Sequence, residues 1–375
     1  MSQTKVEAPF VENNAHFKNL VINGDFRIFQ RASSSTAVGN GTYSTADRFK
    51  TNFSNDGAAT SEQHTMSDAE RATTGHSFAW QLDCGTADGT IASNQSAYFR
   101  HFIEAQNCSG LAYGSSSAKT LTLSFWVKSA KTGTYSCTVE KDDSTKYLLP
   151  LEYAISSADT WEYKTLVISP TAGSTSLITG SAGDIAQDNG KGITLYWWLA
   201  AGSDITGGTN NTWGSNTDNL TTTNQVNWLD STSNDFYITG IQLEVGSTAS
   251  DFEHLPYDVQ LQRCQRYYQQ IPHTASASWQ AYPMWGVNTN VMSSRIQLPV
   301  TMRSNPTGAW IGTRNTDFKV YYDGGYQTLT AEAATDTTDD SVRLDFTSSG
   351  AFASNAAGGA YIVTTSGRIT LTAEL

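Results

Sequence analysis

Between Phe236 and Val245 the apolar residues change parity. Phe236 and Ile238 stand on even numbers, whereas Ile241, Leu243 and Val245 stand on odd ones. A strand sends successive side chains to opposite faces, so a straight strand would separate these two sets. One inserted residue at Thr239-Gly240 returns them to a common face, and a β-bulge is predicted there. The alternative is burial on both faces. Either arrangement makes this a long strand, with a large β region before it and a smaller one after it.

Alternation recurs upstream. LTLSFWVKS (121–129) sends Leu121, Leu123, Phe125 and Val127 one way. ITLYWWLAA (193–201) groups Ile193, Leu195, Trp197 and Leu199, leaving Tyr196 and Trp198 opposite. DRFKTNF (47–53), SFAWQLD (77–83) and WEYKTLVI (161–168) also read as strands. So does LVINGDFRIF (20–29), with Asn23-Gly24 bending or bulging it. Antiparallel strands with turn-rich links over this length suggest a two-sheet jelly roll. Residues 202–224 contain Trp213 and no strand signal. Loops of that length are usually functional or disordered.

After Leu255-Pro256 a helix is predicted over 258–271, with Asp258 as its N-cap and Pro272 as its stop. Leu261, Cys264, Tyr268 and Ile271 fall at 3-4-3 spacing and form one apolar seam. The seam fits packing on a sheet or sharing among three copies of the chain. From about residue 277 short strands run to the end, and the last groups Ile369, Leu371, Ala373 and Leu375. The predicted class is all-β: a jelly-roll β-sandwich, a short helix and a second, smaller C-terminal β-sandwich. The boundaries are an N-terminal arm at 1–18, the jelly roll at 19–256, the connecting helix at 257–272 and the C-terminal sandwich at 273–375. Pro9, Phe10 and Val11 are the residues with which the arm could anchor.

Composition excludes several functions. Net charge is −12, and phosphate backbones demand clustered Lys and Arg, so nucleic-acid binding is not expected. An acidic chain is also repelled by anionic membranes. No run approaches the roughly 20 apolar residues of a membrane span. Cys84, Cys108, Cys137 and Cys264 show no C-x-x-C spacing and are expected to be reduced and buried. The six histidines form no H-x-x-H or H-E-x-x-H motif, and there is no G-x-S-x-G elbow. Glu104, Glu140, Asp142, Asp143, Glu152 and Asp230 would be candidates for a paired-carboxylate glycosidase. None sits in a telling context, and no enzymatic activity is expected.

Binding chemistry is better supplied. Flat aromatic rings stack on the C–H faces of sugars, and amides and charged groups hold the hydroxyls. The candidate glycan-binding residues are Trp126, Trp198, Trp213, Trp279, Trp285, Trp310, Tyr321 and Tyr322. For each of them the competing role is in the core or at an interface between copies.

Several phrases resemble tailed-phage virion proteins. NLVINGDFRIFQRA with YSTADRF, and TLTLSFWVKS with Gly133-Thr134, resemble the carbohydrate-binding-module-like domains of that group. ITGIQLEVGSTASDFEHLPYDVQLQRCQRYYQ resembles the exit from that module in phage tail fibre proteins. RIQLPVTMRSNPTG and TLTAEL resemble the start and end of the domain that follows. The resemblance implies a homotrimer in the virion, assembled in the host cytoplasm. It also implies attachment to a tail or capsid adaptor protein through the N-terminal arm, and contact with host surface polysaccharide at the C-terminal end. A capsid decoration protein, head fibre or tail assembly component is the alternative, and a depolymerase a third reading. Related modules often hold a structural calcium between acidic groups near the first strand and an aspartate in the last. Asp25 and Asp47 are the matching candidates here, but the last strand reads Tyr237-Ile238-Thr239-Gly240 and lacks the carboxylate. No other cofactor is expected.

Overall fold

A computed structural model describes residues 18–36, 38–272, 280–364 and 366–375. Residues 1–17 of the predicted arm lie outside the described residues, and so does Trp279. The N-terminal strands are β1 (Ser34–Ser35), β2 (Phe49–Ser54), β3 (Ala58–Thr65), β4 (Phe78–Thr86), β5 (Ser96–Glu104), β6 (Leu121–Ser129), β7 (Gly133–Lys141), β8 (Tyr147–Ile155), β9 (Glu162–Ile168), β10 (Lys191–Ala201) and β11 (Asp235–Val245). They form a six-stranded sheet, β1-β3-β4-β11-β6-β9, and a five-stranded sheet, β2-β5-β10-β7-β8. All these pairings are antiparallel, and the sheets close on one core as a sandwich. Phe99 and Trp197 stack at 5.3 Å on neighbouring strands of the five-stranded sheet, and Phe125 of the other sheet meets Trp197 edge-on across the core at 6.1 Å.

The bulge in β11 is present. Thr239 pairs with Trp126 and Gln242 with Ser124, with the register shifting between them. Gly240 takes φ +63°. Phe236, Ile238, Ile241 and Leu243 are thereby all buried on the same core. The segment 20–29, by contrast, is not a strand. Asn23 sits at φ +62°, and its side chain bonds the N–H and carbonyl of Ile28 and the carbonyl of Asp47. Those side-chain bonds supply what a ladder would have supplied. Only Leu20 N–H to Leu243 O and Ile241 N–H to Gly24 O, both 2.9 Å, tie the segment to β11.

Strands β3, β5, β7 and β8 escape the alternation argument. β3 is nearly all polar, and β5 is largely buried on both faces, so neither shows a clean period of two. A short helix, α1 (Asp68–Thr74), is also missed. It is nucleated by a capping box in which the Ser67 hydroxyl accepts from Glu70 N–H while the Glu70 carboxylate accepts from Ser67 N–H.

The second helix, α2, spans Tyr257–Gln265 and not 258–271 or 257–272. Its N-cap is Pro256, and Asp258 lies inside the first turn. The chain then enters β12 (Tyr268–Ile271). Leu261 and Cys264 are therefore helical, whereas Tyr268 and Ile271 are in a strand, so the four do not form a single helical seam. The cause is non-local. β12 pairs with β21 (Arg368–Thr372) about a hundred residues on, Tyr268 opposite Thr372 and Ile271 opposite Ile369. That ladder overrides the local 3-4 spacing. Cys264, Tyr268 and Ile271 are buried within this one chain, and Cys264 packs with Ile22, Ile28 and Tyr267.

The remaining strands are β13 (Gln280–Gly286), β14 (Val291–Gln297), β15 (Thr307–Ile311), β16 (Phe318–Tyr322), β17 (Gly325–Gln327), β18 (Leu329–Thr335), β19 (Ser341–Ser348) and β20 (Ala357–Ile362). A seven-stranded sheet, β17-β16-β20-β13-β14-β19-β18, faces a three-stranded one, β12-β21-β15. Their shared core holds Met292, Phe318, Val320, Leu344, Phe346, Ile369 and Leu371. The class is thus mostly β, as predicted: a two-sheet sandwich, a short helix and smaller C-terminal sheets.

The two β regions meet through polar groups. Arg266 forks onto Glu104 at 2.6 and 2.9 Å, and the Tyr267 hydroxyl donates to the same carboxylate at 2.7 Å. Asn189 and Arg303 exchange side-chain-to-carbonyl bonds of 2.8 Å in both directions. Arg31 and Arg48 both pair with Glu374.

Candidate functional site

Strand pairing places three exposed rings on one face of the seven-stranded sheet. Along β13, Ala281, Pro283 and Trp285 point outward, opposite Tyr361, Gly359 and Ala357 of β20. On the other side of β20, Tyr321 faces Gly359 and Lys319 faces Tyr361. Tyr321 in turn faces Tyr326 of β17. Trp285, Tyr321 and Tyr326 are 43%, 41% and 50% exposed. Tyr321 and Tyr326 meet edge-on at 5.5 Å, and Tyr326 and Tyr361 at 6.3 Å. Gly359 lies between Pro283 and Tyr321. A Cβ there would sit 3.1 Å from the Tyr361 ring, which would have to yield by a few tenths of an ångström.

A polar network continues the same face. Trp285 pairs with Ser293 of β14, and Ser293 with Asp345 of β19. The Asp345 carboxylate accepts from the Ser293 hydroxyl, from Arg343 Nε at 2.8 Å and from the Thr335 hydroxyl at 2.7 Å. Trp285 on β13 stands two strands from this carboxylate–guanidinium pair on β19, with Tyr321 and Tyr326 beyond it on β16 and β17. Rings and a fixed ion pair spread along one sheet face can stack on an extended saccharide and hold its hydroxyls.

Of the sequence-predicted residues, Trp285 and Tyr321 are on this face. Tyr322 points inward and meets Phe352 edge-on at 5.8 Å. Trp310 is half-buried, edge-on to Phe318 at 4.9 Å and Phe346 at 5.1 Å, and belongs to the core. Trp213 is buried, its indole N–H donating to Ser169 O at 2.8 Å, and it anchors the 202–224 loop. Trp198 is buried as well, with its N–H on Thr138 Oγ1 at 2.9 Å and Gln225 Nε2 on its carbonyl at 3.2 Å. Thr138 belongs to β7 and donates its own hydroxyl to Leu220 O of the 202–224 loop, and Gln225 follows directly after that loop, so no strand periodicity could reveal these partners. Trp126 is half-buried on the outer face of the six-stranded sheet, 5.2 Å from the exposed Tyr163.

The outer face of the five-stranded sheet carries residues that sequence reasoning missed because β5 was missed. Half-buried Tyr98 packs on Trp198 at 4.4 Å and on Tyr196 at 5.4 Å. Tyr196 donates its hydroxyl to Glu140, and burial together with that carboxylate pushes the phenol well above its ordinary pKa. Arg100 lies beside them, with Lys50 opposite it on β2.

The scattered carboxylates are engaged. Glu104 is held by Arg266 and Tyr267, Glu140 by Lys146 and Tyr196, Glu152 by Thr222 and Asn224, and Asp230 by Lys131 and Asn234. Asp25 pairs with Arg27 at 2.5 Å, leaving one buried carboxylate oxygen without a partner. Asp47 is bonded by Gln30 and Arg31. Calcium requires six to eight oxygens free of competing cations. Arginines occupy both carboxylates, and among the described residues no three His, Cys, Asp or Glu side chains converge on one point. The donor set does not fit the ion.

No family model matches the sequence, and no curated protein matches it. Solved structures show distant similarity to carbohydrate-binding modules and to a phage tailspike domain. A candidate sugar-binding protein from Bacteroides thetaiotaomicron VPI-5482 is 13% identical, at TM-score 0.34 over 61% of this chain and 100% of that one. The enzymatically active domain of bacteriophage CBA120 tailspike protein 4 is 11% identical, at TM-score 0.29 over 61% of this chain and 22% of that one. A family 61 carbohydrate-binding module in complex with β-1,4-galactotriose is 10% identical, at TM-score 0.27 over 61% and 100% of the two chains. At TM-scores this far below 0.5 these likenesses carry no argument about function.

Proposed function

We propose that this chain is a non-catalytic saccharide-binding protein of a phage virion, of tail fibre or receptor-binding type, attaching to host surface glycan. The observation that carries the reading is the sheet face that holds Trp285, Tyr321 and Tyr326 together with the Asp345–Arg343 pair. Aromatic rings gathered on one face and still about half open to solvent mark a contact surface. The phage assignment rests on the sequence phrases quoted above. In this reading residues 1–18 attach to a tail or capsid adaptor, three copies assemble, and residues 273–375 meet the glycan.

The test is binding of the full chain to host cells and to a panel of immobilised bacterial polysaccharides. Trp285→Ala and Tyr321→Ala are each expected to weaken binding about two- to tenfold, since an aromatic contact contributes about 0.5–1.5 kcal/mol. Unchanged thermal unfolding would show that folding is intact. Wild-type protein that binds no cell and no polysaccharide overturns the reading. A particle component without receptor contact is the second reading, favoured by a sequence with no shaft-like repeat of fixed period. Electron microscopy of labelled virions separates the two, because a head position rules out a tail fibre.

A further inference from the structure

Three cations converge on one ring of the five-stranded sheet. Lys50 Nζ, the Arg100 guanidinium and Lys191 Nζ lie 5.9, 4.9 and 4.6 Å from the centroid of Phe102. They come from β2, β5 and β10, and the pairing of Lys50 with Arg100 sets two of them side by side. In a chain of net charge −12 such a cluster runs against the average field. Among the described residues no carboxylate pairs with any of the three. The acids closest in the fold are taken: Glu104 by Arg266, Glu140 by Lys146, and Glu374 by Arg31 and Arg48.

The Arg100 fork is also under-used. Its Nε is buried and has no partner, and its Nη1 reaches only Tyr196 Oη at 3.5 Å. Burial, followed by Arg100 and Lys191, pulls the Lys50 ammonium below its ordinary pKa against the opposing charge of Glu374. One aromatic face attracts a cation, but it does not neutralise three. A planar guanidinium flanked by two ammonium groups matches the geometry of a carboxylate or phosphate. Tyr98 and Asn52, paired across the same two strands, are half-buried beside it.

We propose that this face binds an acidic saccharide, its carboxylate or phosphate held by Arg100, Lys50 and Lys191 and its sugar ring lying against Tyr98 and Asn52. The saccharide half of the proposal rests on the saccharide-binding reading above, and the anionic half rests on the charges alone. This site is separate from the Trp285 face and differs from it in chemistry.

Calorimetry on the full chain tests it with four probes: trigalacturonate, a mannose-6-phosphate-terminated oligosaccharide, neutral mannotriose and inorganic phosphate. At least one charged saccharide is expected to bind ten or more times more tightly than mannotriose, and the comparison of the two separates carboxylate from phosphate. Raising NaCl from about 50 to about 500 mM should weaken that binding. Arg100→Gln should weaken it at least about tenfold, and Arg100→Lys less. Unchanged thermal unfolding of the Arg100 variants keeps the test one of binding. Equal affinity for charged and neutral saccharides, or no binding of either charged one, overturns the proposal. If neutral glycan binding sensitive to Trp285→Ala persists in that case, the proposed function stands without this site. Inorganic phosphate binding as tightly as the phosphosaccharide overturns the saccharide as occupant.

Discussion

Arg48 and Glu374, 326 positions apart, form an ion pair at the junction of the two β regions. Arg48 has no exposed surface. Its guanidinium stands 3.4 Å from the centroid of the Tyr267 ring, and its Nη2 donates to Phe102 O at 2.9 Å. Arginine stays charged in any protein environment. Glu374→Gln therefore leaves a buried cation without its counter-charge, at an expected loss of about 3 kcal/mol. The readout is a lower urea midpoint with an unchanged slope. A loss below about 0.5 kcal/mol would show that the pair contributes nothing to folding.

Stability should also depend on His76 in acid. The ring is buried, edge-on to Phe252 at 4.7 Å, and burial, then His254 and Arg27, pushes its pKa down to about 4. Unfolded histidine titrates near about 6.5. The unfolded state thus takes the extra proton, and the contribution of neutral His76 is full above about pH 6.5 and is lost progressively as pH falls from about 6.5 to about 4. Asp47 opposes it: burial raises its pKa to about 6, so stability falls as pH rises from about 4 toward 6. The wild-type curve mixes the two slopes, and the informative quantity is the difference from His76→Gln. The variant should lose less stability than wild type between about pH 7 and pH 5. Parallel curves would remove His76 from the account.

Two tryptophans should behave oppositely. Trp213→Ala empties a buried site and breaks the bond to Ser169, for an expected loss of about 3–5 kcal/mol. Trp285→Ala removes an exposed ring and should change stability by less than about 1 kcal/mol while weakening saccharide binding. Chemical denaturation and binding measured on both variants check this. A Trp285 variant as unstable as the Trp213 one would place the ring among structural residues.

Gly240→Ala tests the bulge. The position holds φ +63°, and an added Cβ would stand 2.4 Å from His76 Nε2. Left-handed backbone costs a non-glycine residue about 1–2 kcal/mol before His76 is displaced. A total loss of about 2 kcal/mol or more is expected by thermal or urea unfolding. A neutral substitution would mean that the bulge can move along β11.

The parity break at Thr239-Gly240 was readable because a strand's period of two converts a local fault into a local structure. LTLSFWVKS and the last strand were equally plain, since in each apolar residues alternate with polar ones along the sequence. β5 was not readable, because a strand buried on both sides loses its alternation, and Tyr98, Arg100 and Phe102 went unread with it. The seam of Leu261, Cys264, Tyr268 and Ile271 looked helical at its own scale. Only pairing with β21 about a hundred residues away turned its second half into a strand.

Sequence alone determined the β class, the place of the bulge and the supply of aromatic rings, because these follow from neighbours along the chain. Tertiary structure alone decided which rings face water. Trp198 and Trp285 both lie in strands, but Thr138 bonds the indole of the first and Tyr98 and Tyr196 pack on its ring, while bare Gly359 and exposed tyrosines share the face of the second. Exposure is set by whatever distant segment folds across a side chain, and no periodicity along the chain records that.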